Sequence, residues 1–375
     1  MDKKEIKKVL FILGTRPEII KLAPVIHSIK GFFKVKVCFT GQHKEMAASL
    51  LNFFDIIPDY NLNIMKLKQT LFDSTSEILK KLKPVLENEN PDICIVQGDT
   101  TTALVGSLAS FYQKIPLVHI EAGLRSFNKY APFPEEINRI IVDHLADYHF
   151  ATTERARENL LKEGISKEQI WVVGNTVIDA FFLTLSITQK NEDNFYKFFD
   201  FIDFSKKIIL VTGHRRESFG QPFKNICYAL KEIAMKYGDE VIIIYPVHLN
   251  PNVRKPVFTV LKDIKNVYLI EPLDYPYLVW IMSKSYLILT DSGGIQEEAP
   301  SLGKPVIVMR EVTERIEGIK AGIARLVGTD KKKIIDTVIE LLENEEEYNK
   351  MSKIKNPYGD GKSSERIKNI LKEIL

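Results

Sequence analysis

The sequence predicts an α/β protein made of two doubly wound parallel sheets, and three features carry that prediction. Short, continuous apolar runs alternate with longer amphipathic stretches along the chain. The alternation lapses in a polar segment, Asn191–Lys207, and then begins again. Glycine, charge or histidine follows nearly every apolar run, as expected where ligands collect beyond the carboxyl ends of parallel strands. With 375 residues the chain has room for two domains of roughly 150 residues each.

In order, Val9–Leu13, Val35–Thr40, Ile93–Val96, Leu117–Ile120, Tyr148–Ala151 and Trp171–Val173 read as strands. They are apolar throughout rather than alternating, the pattern of strands covered on both faces. Glu18–Ile29, Leu71–Glu87 and Thr101–Gln113 carry helical spacing between them. After the polar segment come Ile208–Thr212, Val241–Tyr245, Val267–Ile270, Tyr286–Thr290 and Val306–Met309. The polar segment suits a connection between domains. The last helix, Ser364–Leu375, follows the Gly-rich Asn356–Gly361 and is expected to cross back to the first domain. The expected domains are 1–178 with 362–375, and 179–361.

Composition narrows the function. Fifty-two Lys and Arg against 49 Asp and Glu leave a net charge of +3 with no run of five like charges, so no nucleic-acid partner is expected. No apolar run approaches the ~20 residues of a membrane span. The N-terminal stretch lacks a signal-peptide core, and Cys38, Cys94 and Cys227 stand far apart in apolar stretches. The expectation is a reduced, cytoplasmic protein with no membrane partner and no metal centre.

The strand ends hold the chemistry. Gly14-Thr15-Arg16-Pro17-Glu18 joins the first strand to a helix, with Pro17 suited to helix initiation. Arg16 is left in the loop, where its forked guanidinium matches a diphosphate, and Lys21 lies one turn on. Asp291-Ser292-Gly293-Gly294 opens a helix after Tyr286–Thr290, where free amides favour a phosphate. Glu298, further along that helix, is placed to hold vicinal sugar hydroxyls. A plain turn capped by Ser292 explains the same string.

Asp99, Glu121 and Glu135 are three carboxylates at or near strand ends of the first domain. Glu135 stands where an acidic helix start is favourable in any case, and Asp99 could cap the helix after it. Glu121 ends an apolar strand and is harder to explain as packing. Acid–base work is the preferred reading, with metal binding its rival, although no His joins them at ligand spacing.

His214 lies between Gly213 and two arginines just after a strand, a position for general catalysis or for a leaving phosphate. His43 and His248 also follow strands. His27, His119, His144 and His149 fall within elements and read as packing residues. No Gly-x-Gly-x-x-Gly opens the first βαβ unit, so no nicotinamide site is indicated. Gly359-Asp360-Gly361-Lys362-Ser363 mimics a P-loop without its first glycine or its strand, and Ser292 lacks a nucleophile-elbow frame.

Taken together, these strings resemble the non-hydrolysing UDP-N-acetylglucosamine 2-epimerases over nearly the whole chain. Gln97-Gly98-Asp99-Thr100-Thr101, His119 to Arg125, Pro134-Glu135-Glu136, Thr212 to Ser218, Thr290 to Glu298 and Asn356 to Gly361 all stand in the family's order. The resemblance implies two Rossmann-like domains facing across a cleft, the GT-B-like fold. It implies reversible C2 epimerisation of UDP-N-acetylglucosamine to UDP-N-acetylmannosamine, with UDP as the third ligand and no cofactor. Asp99, Glu121, Glu135 and His214 then carry the chemistry. Arg16, Lys21, Ser292, Gly293, Gly294, Glu298 and Arg315 hold the UDP portion.

Gln42, His43, Gln69, Glu136, Arg215 and His248 match a second, activating UDP-N-acetylglucosamine site, and the family suggests a homodimer. Leu273 and Leu278 replace a Gln and an aromatic near the uracil, which implies apolar contact there. The competing readings are a UDP-sugar glycosyltransferase of the same fold, a hydrolysing 2-epimerase, and a sugar-nucleotide sensor without turnover. Solvent hydrogen entering C2 separates the epimerases from the rest.

Overall fold

The computed structural model describes residues 6–41, 44–65 and 69–375. The chain divides into two compact units, Met1–Ala180 with Gly359–Leu375, and Phe181–Tyr358.

Among the described residues, the first unit holds a seven-stranded parallel sheet in the order β3-β2-β1-β4-β5-β6-β7. The strands are β1 (Lys8–Leu13), β2 (Lys34–Phe39), β3 (Tyr60–Asn61), β4 (Ile93–Gln97), β5 (Leu117–Ala122), β6 (Tyr148–Ala151) and β7 (Ile170–Val172). Leu10, Ile12, Cys38, Cys94 and Val96 bury one face under the helices Leu71–Glu89 and Thr101–Tyr112. Strand order reverses between β1 and β4, which makes that junction the switch point where a doubly wound sheet presents its loops to a ligand.

The second unit repeats the plan with a six-stranded parallel sheet, β10-β9-β8-β11-β12-β13. Its strands are β8 (Lys207–Thr212), β9 (Val241–Pro246), β10 (Val267–Ile270), β11 (Leu287–Thr290), β12 (Val306–Val308) and β13 (Ala324–Leu326). Here the order reverses between β8 and β11. The short edge strands β3 and β13 carry no apolar run of their own, and sequence patterning passes over them.

The segment 191–207 is not the connection expected between domains: the units meet in the chain at Ala180–Phe181, and this segment belongs to the second. Glu192–Phe198 is a helix, and Phe195 and Phe199 stack on Trp280 with ring centroids 5.7 and 5.4 Å apart. Each such buried ring is worth about 1.5–3 kcal/mol. Aromatics at helical spacing bind this segment to the second unit, despite its polar composition. The closing helix, Ser363–Ile374, belongs to the first unit. Asp179 accepts from the Ser364 amide at 2.7 Å, and the Ser28 hydroxyl donates to the Ser364 carbonyl at 3.1 Å. None of the described helices is long and apolar enough to cross a membrane.

Candidate active site

At the first unit's switch point the chain turns through Gly14 and Thr15 into the helix Arg16–Ile29. Glu18 folds back from that helix and is wholly buried. One of its oxygens accepts from the Gly14 and Thr15 amides at 3.0 and 2.7 Å; the other accepts from the Thr100 hydroxyl at 2.7 Å. Burial pushes its carboxyl up to about 7, against the pull of those donors. The loops after β1 and β4 are thereby joined. A Cβ at Gly14 would collide with the Thr40 and Thr102 hydroxyls, which bond each other at 2.9 Å, so only glycine fits there.

One strand over lies the carboxylate cluster. Thr100 caps the helix Thr101–Tyr112, its hydroxyl accepting from the Ala103 amide at 3.0 Å. Asp99 is therefore not needed as a cap, and its carboxylate pairs with Arg139. Asn138 donates to the Asp99 carbonyl at 2.8 Å. Burial raises the Asp99 carboxyl and nearby Glu121 adds to the rise; Arg139 and Lys21 oppose it.

Glu121 sits at a register shift in β5, between Ile120 and Ala122, with φ of +71°. A non-glycine residue in that region costs about 1–3 kcal/mol and persists where the surroundings hold it. Here the Lys21 ammonium and the Gln97 side-chain amide both bond its Oε2, each at 2.5 Å. Two donors on one oxygen fix that side chain in a single orientation in a largely buried place.

Glu135 starts the helix Glu135–Leu145 and is half-exposed. Asn138 and Arg139 follow at the spacings that share a helix face with it, so Glu135 rises one turn beyond the pair that grips Asp99. Its neighbour Glu136 has a different task. Buried, it accepts from the Ser126 amide at 2.9 Å and the Phe127 amide at 2.8 Å, and it shapes that loop.

His119, expected only to pack, is a fully buried polar fixture. Its Nδ1 lies 2.6 Å from Asp143 and its Nε2 lies 2.8 Å from the Gly98 carbonyl, beside Asp99. Asp143 also takes the Gly123 amide at 3.1 Å and Arg125 at 2.8 Å. Burial would raise Asp143, but His119 and Arg125 hold it below the usual carboxylate range. His149 is buried, and its Nε2 meets the Asp143 carbonyl at 2.7 Å; His27 bonds the Phe54 carbonyl. His144 is exposed and does not pack.

In the second unit, Thr212 and Thr290 pair their hydroxyls at 2.6 Å across β8 and β11, as Thr40 and Thr102 do in the first. Asp291 follows β11 and is fully buried. Its Oδ2 accepts the His214 and Arg215 amides at 2.7 and 2.8 Å. The Tyr245 hydroxyl donates to the Gly213 carbonyl at 2.8 Å and steadies the same loop. The His214 ring stacks on His248, centroids 5.1 Å apart and nearly parallel. Burial lowers its pKa; Asp291 pulls it up, while His248 and Arg215 push it down.

Ser292 occupies the cap position of the helix Gly293–Glu298, yet its side chain makes no cap bond; its own amide donates to the Thr290 hydroxyl at 2.9 Å. The Arg315 guanidinium lies against Gly293, where a Cβ would come within 3.1 Å of Cζ, and its Nε donates to Glu297 at 2.9 Å. Glu298, at the end of that short helix, is buried and accepts from the Tyr275 hydroxyl at 3.5 Å.

Within the first unit, then, Asp99, Glu121 and Lys21 come together, with Glu135 one turn away and half-buried Arg16 opening the helix that carries Lys21. Within the second, His214, Arg215 and His248 gather at one strand end and Ser292, Gly293, Gly294, Glu298 and Arg315 at the next. Gln42 and His43 lie outside the described residues, and Gln69 is half-buried. Arg139, Gln97 and Asp291 stand out only in the structure. Arg139 follows Glu135 at helical i,i+4 spacing, and Gln97 and Asp291 are polar residues ending or following apolar strands. Those are the signals that point to them. Among the described residues no three His, Cys, Asp or Glu side chains converge as a metal-ligand set.

Comparison with known proteins points one way. The family model described as UDP-N-acetylglucosamine 2-epimerase matches residues 27–372. The chain is 54% identical over 370 residues to the UDP-N-acetylglucosamine 2-epimerase of Escherichia coli K12, covering 97% of this chain and 98% of that protein. Among solved structures, the UDP-GlcNAc 2-epimerase of Neisseria meningitidis bound to UDP-GlcNAc is 49% identical, with a TM-score of 0.87 over 98% of this chain and 100% of that one. The Methanocaldococcus jannaschii enzyme in complex with UDP-GlcNAc and UDP is 40% identical, with a TM-score of 0.78 over 98% and 99%.

Proposed function

Because the chain belongs to the UDP-N-acetylglucosamine 2-epimerase family, whose members share a GT-B-like fold, we propose that its two strand-end clusters divide one reaction between them. That reaction is non-hydrolysing epimerisation at C2 of UDP-N-acetylglucosamine, giving UDP-N-acetylmannosamine. The observation that carries the division is the pair of neighbouring carboxylates in the first unit, Asp99 on Arg139 and Glu121 on Lys21.

The C2 proton is not beside a carbonyl, so direct deprotonation is out of reach. Expelling UDP from C1, with the electron pair of the C1–O bond, builds positive charge at the anomeric carbon and acidifies C2–H. A carboxylate takes that proton, which leaves a neutral 2-acetamidoglucal. A second acid returns a proton to the opposite face and UDP adds back at C1, so nothing is consumed.

Asp99 suits proton carriage, since burial already favours its neutral form. Glu121, held in place by Lys21 and Gln97, suits the positive charge developing at C1. Glu135 is the third carboxyl in reach of this work by its place on the helix. In the second unit Arg315, the Ser292–Gly294 turn and His214 hold the diphosphate and stabilise it as it leaves, the preorganised electrostatics that is often the largest catalytic term. The route needs no nicotinamide and no metal.

The test is proton NMR of the protein with UDP-N-acetylglucosamine in D2O and no added cofactor. Growth of a second UDP-sugar anomeric signal with deuterium entering C2 is expected; free N-acetylmannosamine would mean hydrolysis, and unchanged substrate would favour a transferase or a sensor. The product feeds polysaccharide synthesis in this reading, and the chain acts as a homodimer activated by a second UDP-N-acetylglucosamine. The archaeal relative's complex with both UDP-GlcNAc and UDP supports two nucleotide sites. Pure UDP-N-acetylmannosamine should then show a lag that a trace of the gluco epimer removes; a curve without a lag would rule activation out.

A further inference from the structure

Asp291 is a carboxylate in the second unit whose geometry its structural duties leave unexplained. Its Oδ2 is occupied by the His214 and Arg215 amides, while its Oδ1 has no hydrogen-bond partner although the residue is fully buried. A buried carboxylate oxygen left so is costly unless something completes it. The nearest titratable nitrogen is the Nδ1 of His214, 3.7 Å away. A closure of about half an ångström would make a hydrogen bond. The His214 side chain is 42% exposed, which leaves its ring room to turn.

We propose that Asp291 is the positioning residue of His214: one oxygen holds its loop and the other holds its Nδ1–H, so that Nε2 is the nitrogen offered to the departing diphosphate. This rests on the reaction assigned above. The carboxylate sets the tautomer and keeps the imidazolium form within reach, as a buried acid behind a histidine does.

The charged and titratable groups facing the ring are Asp291 at the end of β11, His248 after β9 and Arg215 in its own loop. Asp291 alone among them favours the cation. Tyr245 meets the loop only at the Gly213 carbonyl.

The experiment labels the histidines with 13C at Cε1 and 15N in the ring, and assigns His214 by the signal lost in His214→Asn. Neutral His214 should carry its proton on Nδ1 in the unmodified protein. Asp291→Asn should lower the His214 pKa. The alkaline fall of kcat should move down with it, kcat should drop roughly tenfold to a hundredfold, and KM should stay within about threefold. His248→Ala should move the same pKa upward.

A Nε2–H tautomer in the unmodified protein overturns the proposal. So does an Asp291→Asn protein whose His214 titrates as before, whatever its activity. Should Asp291→Asn not fold, the tautomer in the unmodified protein still decides. If His214→Asn turns over normally, it is the role of His214 in the reaction that fails; the shift in Asp291→Asn still reports whether the two side chains are coupled.

Discussion

At the first unit's switch point Glu18 uses both oxygens on structure, taking the amides of Gly14 and Thr15 and the hydroxyl of Thr100. At the second unit's, Asp291 takes the amides of His214 and Arg215 with one oxygen and keeps the other. Each place also carries a bonded pair of threonine hydroxyls. The common device is a buried carboxylate that organises a strand-end loop through its amides. The difference is what remains afterwards. Glu18 is satisfied, and the first unit places its chemistry one strand over, on Asp99 and Glu121. Asp291 is not, and a titratable ring stands beside it.

The sharpest test of that division is Glu121→Gln. It should lower kcat by about 10²- to 10⁴-fold while UDP binding, measured by calorimetry, is retained, because the diphosphate is assigned to Arg315, His214 and the Ser292–Gly294 turn rather than to Glu121. A near-normal rate would move the proton chemistry elsewhere.

Glu18→Gln should act on stability instead. The Glu18 carboxyl rises on folding from 4.5 to about 7, so between those values the folded state binds the extra proton and stability falls as pH rises. That slope amounts to about 3 kcal/mol at most across the window. Urea unfolding at pH 5 and pH 8 should show it in the unmodified protein and a flatter response in the variant, whose amide keeps one acceptor for Gly14 and Thr15. Equal slopes would mean that Glu18 does not titrate there.

Arg139→Gln removes the charge that pulls Asp99 down, so the limb of the kcat–pH profile set by Asp99 should move to higher pH. An unmoved limb would separate Asp99 from turnover. The smallest effects should come from the threonine pairs: Thr102→Val and Thr212→Val should each cost about 1 kcal/mol in chemical unfolding. Thr212→Val should cost kcat as well if the loops beyond β8 and β11 act together.

Much of this was legible in the residues, and particular ones show why. Asp99, Glu121 and His214 each follow or end an apolar strand, so their place at a strand end could be read locally. Thr100 rather than Asp99 proved to be the cap, and Glu136 proved to be a loop anchor; both depend on which side chain reaches which amide. The segment 191–207 misled by its polar composition, since a few aromatics meeting Trp280 outweigh the polar residues between them. The edge strands β3 and β13 are too short to carry a pattern.

By itself the sequence determined the two parallel sheets, the glycine-bearing turns after their strands and the family to which the chain belongs. Apolar runs, helical spacing and turn chemistry are local properties, readable within a few residues. Only the tertiary structure decided which charge answers which: Lys21 for Glu121, Arg139 for Asp99, Glu18 for two amides and a distant hydroxyl, Asp291 beside His214. Apart from the two amides beside Glu18, those partners lie tens of residues apart. Electrostatic matching depends on distance and burial, which exist only once strand order has brought the loops together.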